Sequence, residues 1–126
     1  MKDFKKLKVW QEAHDLTIKV YKITMDFPKE ELFGLISQIR RSSASIAANI
    51  AEGCGRGGDM DFARFLQMAM GSASELEYHL LLSRDLNYIK QTDYEDLNNQ
   101  VINIKRMLTT LIKRLKADSR LPKAEG

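Results

Sequence analysis

Residues 45–59 read SIAANIAEGCGRGGD, and this stretch decides how the chain is expected to fold. Its first half places Ile46 and Ile50 four residues apart, on one face of a helix, among small Ser and Ala residues. Its second half is rich in glycine, which favours the end of a helix. The pattern predicts a helix with a close-packing face of small residues, ended by Gly53 and followed by a loop.

The same helical periodicity recurs in four segments of the chain. They cover about residues 6–26, 35–52, 59–86 and 92–117, and a tail follows at 118–126. Asp59 and Thr92 are suitable N-caps for the third and fourth helices. Short connections and the lack of a strand pattern favour an all-α fold, an antiparallel up-down-up-down four-helix bundle. We expect residues 1–126 to form this one domain.

Composition narrows the class of protein. The 126 residues are 44% hydrophobic and 29% charged, which is typical of a globular domain. No apolar stretch is long enough to span a membrane, and the single cysteine, Cys54, excludes an internal disulfide. These features predict a cytoplasmic protein without a membrane partner. Cys54, in the expected loop, is predicted to be accessible.

The first and second helices carry more uncharged surface than one bundle contact needs. The apolar arc of the first helix is wide, and the second has a stripe of small residues opposite its core stripe. We therefore predict a homo-oligomer. Its expected interface consists of Trp10, His14, Ile18, Tyr21, Ser45 and Ala48.

Charge is unevenly distributed along the chain. Residues 59–99 carry three Lys or Arg and eight Asp or Glu, whereas residues 100–126 carry seven and two. Six cations of the last segment share one helical arc, and a seventh precedes the third helix: Lys105, Arg106, Lys113, Lys116, Arg120, Lys123 and Arg56. They indicate a phosphate-binding surface for RNA or DNA. The alternative is a solvated face that only aids solubility.

A second polar set lies on the second and third helices. It comprises Arg40, Arg41, Asn49, Glu52, Glu75 and Glu77. We interpret it as a structural network between these helices or between subunits, because a charge near the core needs a partner. An acid–base pair is the alternative, although no nucleophile or suitably spaced histidine accompanies it. Glu75 and His79 are four residues apart, not the three of a di-iron Glu-x-x-His motif, so no catalytic, cofactor or metal site is predicted.

The loop sequence from Gly53 to Gly58 matches G-x-G-x-x-G. A dinucleotide site requires a strand before that loop, and here a helix precedes it. An anion site beside Arg56 at the start of the third helix is an alternative, which Asp59 and Asp61 oppose by their charge. We interpret the segment as an interhelical loop.

Three stretches resemble one protein family closely: LKVWQEAH at 7–14, SQIRRSSASIAANIAEGCGR at 37–56 and FARFLQMAMGSASELEY at 62–78. The family is encoded in intervening sequences of bacterial 23S rRNA genes and is also labelled a ribosomal protein family. The resemblance covers about residues 4–115. It implies a four-helix bundle, a ring-like pentamer and no established enzymatic activity. One departure is Ala47, where the family usually has a proline that would kink the second helix.

A related branch of the family serves as accessory proteins of diversity-generating retroelements. The resemblance therefore implies a reverse-transcriptase-like partner and nucleic acid as ligands. The leading functional hypothesis is a non-enzymatic, oligomeric bundle that binds structured nucleic acid through the fourth helix. The alternative is a protein-interaction scaffold with no nucleic-acid role.

Overall fold

A computed structural model describes residues 3–120 as an all-helical structure with no strand in that range. A short 3-10 helix at Phe4–Lys6 precedes α1, Lys8–Thr24, and another at Lys29–Glu31 precedes α2, Leu35–Cys54. Two longer helices follow, α3 at Asp59–Asp85 and α4 at Gln91–Arg120. The prediction of an all-α fold with four helices is confirmed. None of these described helices combines the length and the apolar character needed to cross a bilayer.

Several predicted helix boundaries differ from the structure, and α1 is shorter than the predicted segment of about residues 6–26. α2 continues through Gly53 to Cys54, Gly58 occupies the N-cap position of α3, and Gln91 begins α4 ahead of Thr92. Asp59 and Thr92 therefore lie in the first turns of their helices and do not cap them. Residues 118–120, predicted as tail, belong to α4, and the remainder of that tail lies outside the described residues.

Gly53 has a packing role and does not terminate α2. It is buried, and a β-carbon built on it would lie 2.7 Å from Cβ of Phe65 and 2.9 Å from Cδ1 of Phe62. Atoms this close overlap, so only glycine lets α2 and α3 approach at this level. α2 is also continuous across Ala47, which a proline would have interrupted.

The core lies along the four apolar stripes. α2 packs against α1 and α3, and α4 packs against the same two helices. The largest fully buried side chains come from every helix, as the periodicity predicts: Leu16, Val20, Ile39, Ile46, Ile50, Leu66, Leu76, Leu80, Val101, Ile104 and Leu108. A smaller cluster of Phe27, Leu35, Ile36 and Ile89 closes the end of the bundle where α1 joins α2 and α3 joins α4.

Side-chain contacts define the axial register between neighbouring helices. Thr17 of α1 donates to the carbonyl oxygen of Ser43 of α2 at 3.1 Å. On the other side of α2, Arg41 meets Glu75 and Ser45 meets Ser72. From Arg41 to Ser45 the residue number rises along α2, while the partner on α3 falls from Glu75 to Ser72. This register determines which surface residues become neighbours.

Candidate nucleic-acid interface

α4 is acidic in its first half and basic in its second. Asp93, Glu95 and Asp96 lie near its start, whereas every Lys and Arg of the helix lies from Lys105 onward. Cations near a helix C-terminus are favourable because the carbonyl end of the helix carries partial negative charge. The basic half lies beside the start of α1 and the α2–α3 connection, since Met60 meets Ser119 and Lys8 lines a groove with Arg114. Cations therefore collect at one end of the bundle.

Four cations of α4 form what we term the basic face: Arg106, Lys113, Lys116 and Arg120. Three of them are exposed, and Lys116 is half-buried. Among residues 3–120, no carboxylate oxygen lies within 4.0 Å of their charged nitrogens. Their charges are therefore not neutralised by ion pairs within this part of the chain.

The structure separates two predicted phosphate-binding residues, Lys105 and Arg56, from this face. Lys105 is half-buried, and its Nζ donates to Oε1 of Glu77 on α3 at 2.9 Å. Arg56 contacts Asp61 at 3.8 Å, and its guanidinium carbon lies 4.9 Å from the centroid of the Phe65 ring. Lys123 lies outside the described residues. Lys105 is thus paired between helices, and Arg56 is held against the start of α3.

The Gly53–Gly58 segment is only partly a loop. Cys54, expected to be accessible, is buried in the last turn of α2, so the prediction of an exposed thiol is wrong. Gly57 and Gly58 have open space around them, and none of the described glycines has a positive φ. From this connection, Arg56 contacts Asp61 and the Phe65 ring of α3.

A groove between the start of α1 and the second half of α4 was not found from sequence. It has a volume of about 370 Å³, and its apolar wall is formed by Leu7, Val9, Met107 and Leu111. Lys8, Arg106 and Arg114 also line it, with Thr110 between the two arginines on α4. Arg114 lies outside the predicted basic arc, and Lys8 is remote in sequence. Helical spacing alone gives no signal for this pairing of α1 with α4.

The predicted polar network divides into separate contacts. Arg41 Nη2 donates to Oε2 of Glu75 at 2.6 Å, linking α2 to α3. Arg40 instead bonds to α1, where its Nε donates to Oγ1 of Thr24 at 2.8 Å and its guanidinium lies over the Tyr21 ring. Glu77 pairs with α4 as described.

The remaining members of that predicted network are local or exposed. Asn49 donates to the carbonyl oxygen of Ser45 at 2.9 Å, and Ser72 donates to the Ser45 hydroxyl at 2.9 Å. Glu52 is exposed and forms no ion pair within residues 3–120. The network is therefore several small links between helices, and it does not bring two carboxylates together at a reactive centre.

His79 is the most unusual ionisable group of α3. Its Nδ1 is buried with no hydrogen-bond partner in the described structure, and its Nε2 lies 4.0 Å from Oε2 of Glu75. Burial lowers the pKa of His79, an effect that Glu75 opposes and Arg41 reinforces. Within residues 3–120, no group of three or more His, Cys, Asp or Glu side chains is arranged to hold a metal ion.

The predicted oligomer-interface residues occupy the outer side of α1 and α2. His14 stacks on Trp10 with ring centroids 4.9 Å apart, while Ile18, Tyr21 and Ala48 are exposed. Ser45 is instead half-buried by its bonds to α3 and to Asn49. Two residues outside the predicted interface set are also highly exposed: Met25 is 75% exposed and Phe33 is 92% exposed.

Comparison with known protein families identifies the family of this chain. The model of the 23S rRNA-intervening sequence protein family matches residues 5–110. The chain belongs to this family. Its matched region contains α1 to α3 and most of α4, but ends before Lys113, Lys116 and Arg120, so three of the four residues of the basic face lie beyond it.

One solved crystal structure is similar to this chain in both sequence and fold. It is the crystal structure of a protein of unknown function from the S23 ribosomal protein family of Bacteroides thetaiotaomicron VPI-5482. The two chains are 31% identical, with a TM-score of 0.75 over 83% of this chain and 98% of that one. Among curated proteins, the comparison finds no match to this member of the family.

Proposed function

We propose that this chain is a non-enzymatic, homo-oligomeric helical bundle that binds the phosphate backbone of structured RNA or DNA. The observation that carries the proposal is the basic face, whose four cations have no carboxylate partner among residues 3–120. When Lys and Arg side chains contact phosphates, they displace the counterions condensed on the nucleic acid. This release makes binding favourable and strongly dependent on salt concentration.

The chemistry of the face favours backbone contacts over base recognition. Lys113, Lys116 and Arg120 lie on α4 with no aromatic side chain among them. Sequence-independent binding to single strands uses aromatic side chains on which bases stack. We therefore propose a duplex or folded ligand, recognised with low sequence specificity.

Oligomerisation is part of the proposal. We propose that the helices run up-down-up-down and antiparallel, which the opposed numbering of the α2–α3 contacts supports. The exposed apolar side of α1, including Ile18 and Tyr21, supports assembly into a ring. Five subunits follow from the resemblance described above. A ring repeats the basic face, so that weak phosphate contacts act together.

The test is fluorescence anisotropy of a labelled, folded RNA across a salt series. The variant Lys113→Glu/Lys116→Glu reverses two charges of the basic face. The matched control, Lys22→Glu/Lys29→Glu, makes the same change in net charge at the opposite end of the bundle. We expect the first variant to lose most of the affinity and salt dependence, and the control to keep both. Wild-type protein that stays unbound at low salt would refute the proposal.

A protein-interaction scaffold is the second proposed function. Phe33 and Met25 are highly exposed, and a groove of about 580 Å³ lined by Tyr21, Ile36 and Arg40 lies beside Phe33. Exposed apolar patches of this kind mark protein contacts. Affinity capture with and without nuclease separates the two functions, because a directly bound protein survives removal of nucleic acid.

Two further predictions rest on the resemblance and on the composition. A reverse-transcriptase-like partner is expected only if this chain acts as the related retroelement proteins do. A cytoplasmic location also remains a prediction from composition. Reconstitution with a purified reverse transcriptase would test the first, and fractionation of expressing cells would test the second.

A further inference from the structure

The groove between α1 and α4 leaves core-type side chains open to solvent. Leu7, Met107 and Leu111 are only partly buried, although each packs against the main core cluster. Val9, at 4% exposed, forms the base of the groove. A volume of about 370 Å³ falls within the range of natural binding sites. The groove is therefore an apolar slot and not merely a gap between charged side chains.

Three exposed cations line this slot. Arg106 and Arg114 are eight residues apart on α4, which separates their backbones by about 12 Å along the helix axis. Lys8 lies on the α1 side. Among residues 3–120, none of the three forms an ion pair with a carboxylate. The groove thus combines an apolar interior with a positive edge whose charge has no partner in this part of the chain.

We propose that this groove docks an acidic amphipathic helix of a partner protein. A helix laid in a groove presents apolar anchors at positions i, i+3, i+4 and i+7. Acidic residues two turns apart on such a helix have the same spacing as Arg106 and Arg114. Charge complementarity with the three cations selects an acidic partner over a neutral or basic one.

The apolar wall favours a protein over nucleic acid as the occupant. Phosphates gain nothing from Leu7, Met107 or Leu111, and no aromatic residue lines the groove for a base to stack on. Burying these side chains against leucines of a partner removes apolar surface from water. This site goes beyond the basic face, although Arg106 is shared by both.

Two adjacent threonines allow the two sites to be tested separately. Thr109 and Thr110 are both exposed, and each donates its hydroxyl to the carbonyl oxygen four residues earlier. In Thr110→Glu, the new carboxylate is four residues from both Arg106 and Arg114 and places negative charge inside the groove. In Thr109→Glu, the carboxylate is four residues from Lys105 and Lys113, outside it.

The probe is a fluorescein-labelled, end-blocked helical peptide with leucines at the i, i+3, i+4, i+7 positions and flanking glutamates. We expect wild type and Thr109→Glu to bind it equally, and Thr110→Glu to bind it about tenfold more weakly. A peptide with serines in place of the leucines should lose binding. Conversely, Thr109→Glu should weaken binding of the folded RNA.

Three outcomes would overturn the inference. The first is no binding of the leucine peptide to wild-type protein at low salt. The second is equal binding by wild type and Thr110→Glu. The third is equal binding of the leucine and serine peptides, which would show that charge alone attracts the probe. If Thr110→Glu weakens only RNA binding, the groove belongs to the nucleic-acid surface. The three peptide outcomes do not depend on whether the basic face binds RNA.

Discussion

Gly53 of α2 faces Phe65 of α3 so closely that a β-carbon on Gly53 would lie 2.7 Å from Cβ of Phe65. The contact occurs where the two helices converge on their connection. Arg56 and Arg64 both lie over the ring of the same phenylalanine, with guanidinium carbons 4.9 and 4.6 Å from its centroid. One glycine therefore positions an aromatic side chain that in turn holds two surface arginines.

Replacing Gly53 with alanine should destabilise the fold. The added methyl group must displace Phe65 or Phe62, and overpacking of this kind costs about 1–3 kcal/mol. Chemical denaturation measures the change in the free energy of unfolding. Gly71→Ala is the control, because a β-carbon there meets nothing within 4 Å. Alanine is the better helix former, so this variant should gain about 0.5–1 kcal/mol. Equal stability of the two variants would contradict the packing role of Gly53.

Glu77→Gln should change RNA affinity more clearly than stability. The Lys105–Glu77 pair is partly exposed, so its loss should cost less than about 1 kcal/mol of unfolding free energy. The variant leaves Lys105 without its carboxylate, next to the basic face. We expect tighter RNA binding and a steeper salt dependence, by about one phosphate contact. Glu75→Gln is the control, since it releases Arg41 on the α2 side of α3. A large loss of stability without tighter binding would disprove this expectation.

His79 should make the fold sensitive to mild acid. Its pKa is lowered in the folded protein, chiefly by burial, so the unfolded chain binds a proton first as the pH falls. Protonation of the unfolded state favours unfolding, and stability should decline as the pH drops below about 6.5, the ordinary value for histidine. The decline should continue down to the lowered pKa of the folded state and then level off.

The test of His79 compares unfolding free energies between neutral and mildly acidic pH. His79→Leu should flatten the decline, because the group that titrates is gone. His14→Leu removes the chain's other histidine, leaves His79 in place and should keep the decline. Carboxylates contribute at still lower pH, so the comparison rests on the interval just below 6.5. An unchanged slope in His79→Leu would assign the acid sensitivity to other groups.

Phe33→Ser should alter assembly but not folding. Phe33 is 92% exposed within one chain, and surface substitutions usually change stability by less than about 0.5 kcal/mol. We expect sedimentation to show a shift to smaller species, while circular dichroism shows the same helical content as the wild type. Leu86→Ser removes another exposed apolar side chain at the end of α3 and serves as the comparison. Assembly that persists in Phe33→Ser would exclude this residue from the subunit contact.

Helical periodicity predicted the core well but not the lateral contacts. Leu66, Leu76 and Leu80 recur at helical spacing within the predicted third helix, and all three are fully buried. The spacing of residues fixes their rotation about one helix axis. It does not fix how far one helix slides along another, and that register decides that Lys105 meets Glu77 and that Arg40 meets Thr24.

The groove and the end of α2 were missed for related reasons. Lys8 and Arg114 are brought together by the return of α4 alongside α1, which no local pattern records. Gly53 has the residue type of a helix terminator, yet it lies inside α2, where Phe62 and Phe65 leave room only for glycine. The residue type indicates which local conformations are favourable, and packing against the neighbouring helix determines which of them the residue adopts.

The uneven distribution of charge between the two ends of the bundle has a kinetic consequence. Cations gather around the start of α1 and the end of α4, whereas acidic residues cluster at the start of α4. The folded chain therefore has an electric dipole moment along its long axis. Near a polyanion, the resulting torque turns the positive end forward before any contact forms, which raises the rate of productive encounters. Added salt should slow association more than it speeds dissociation.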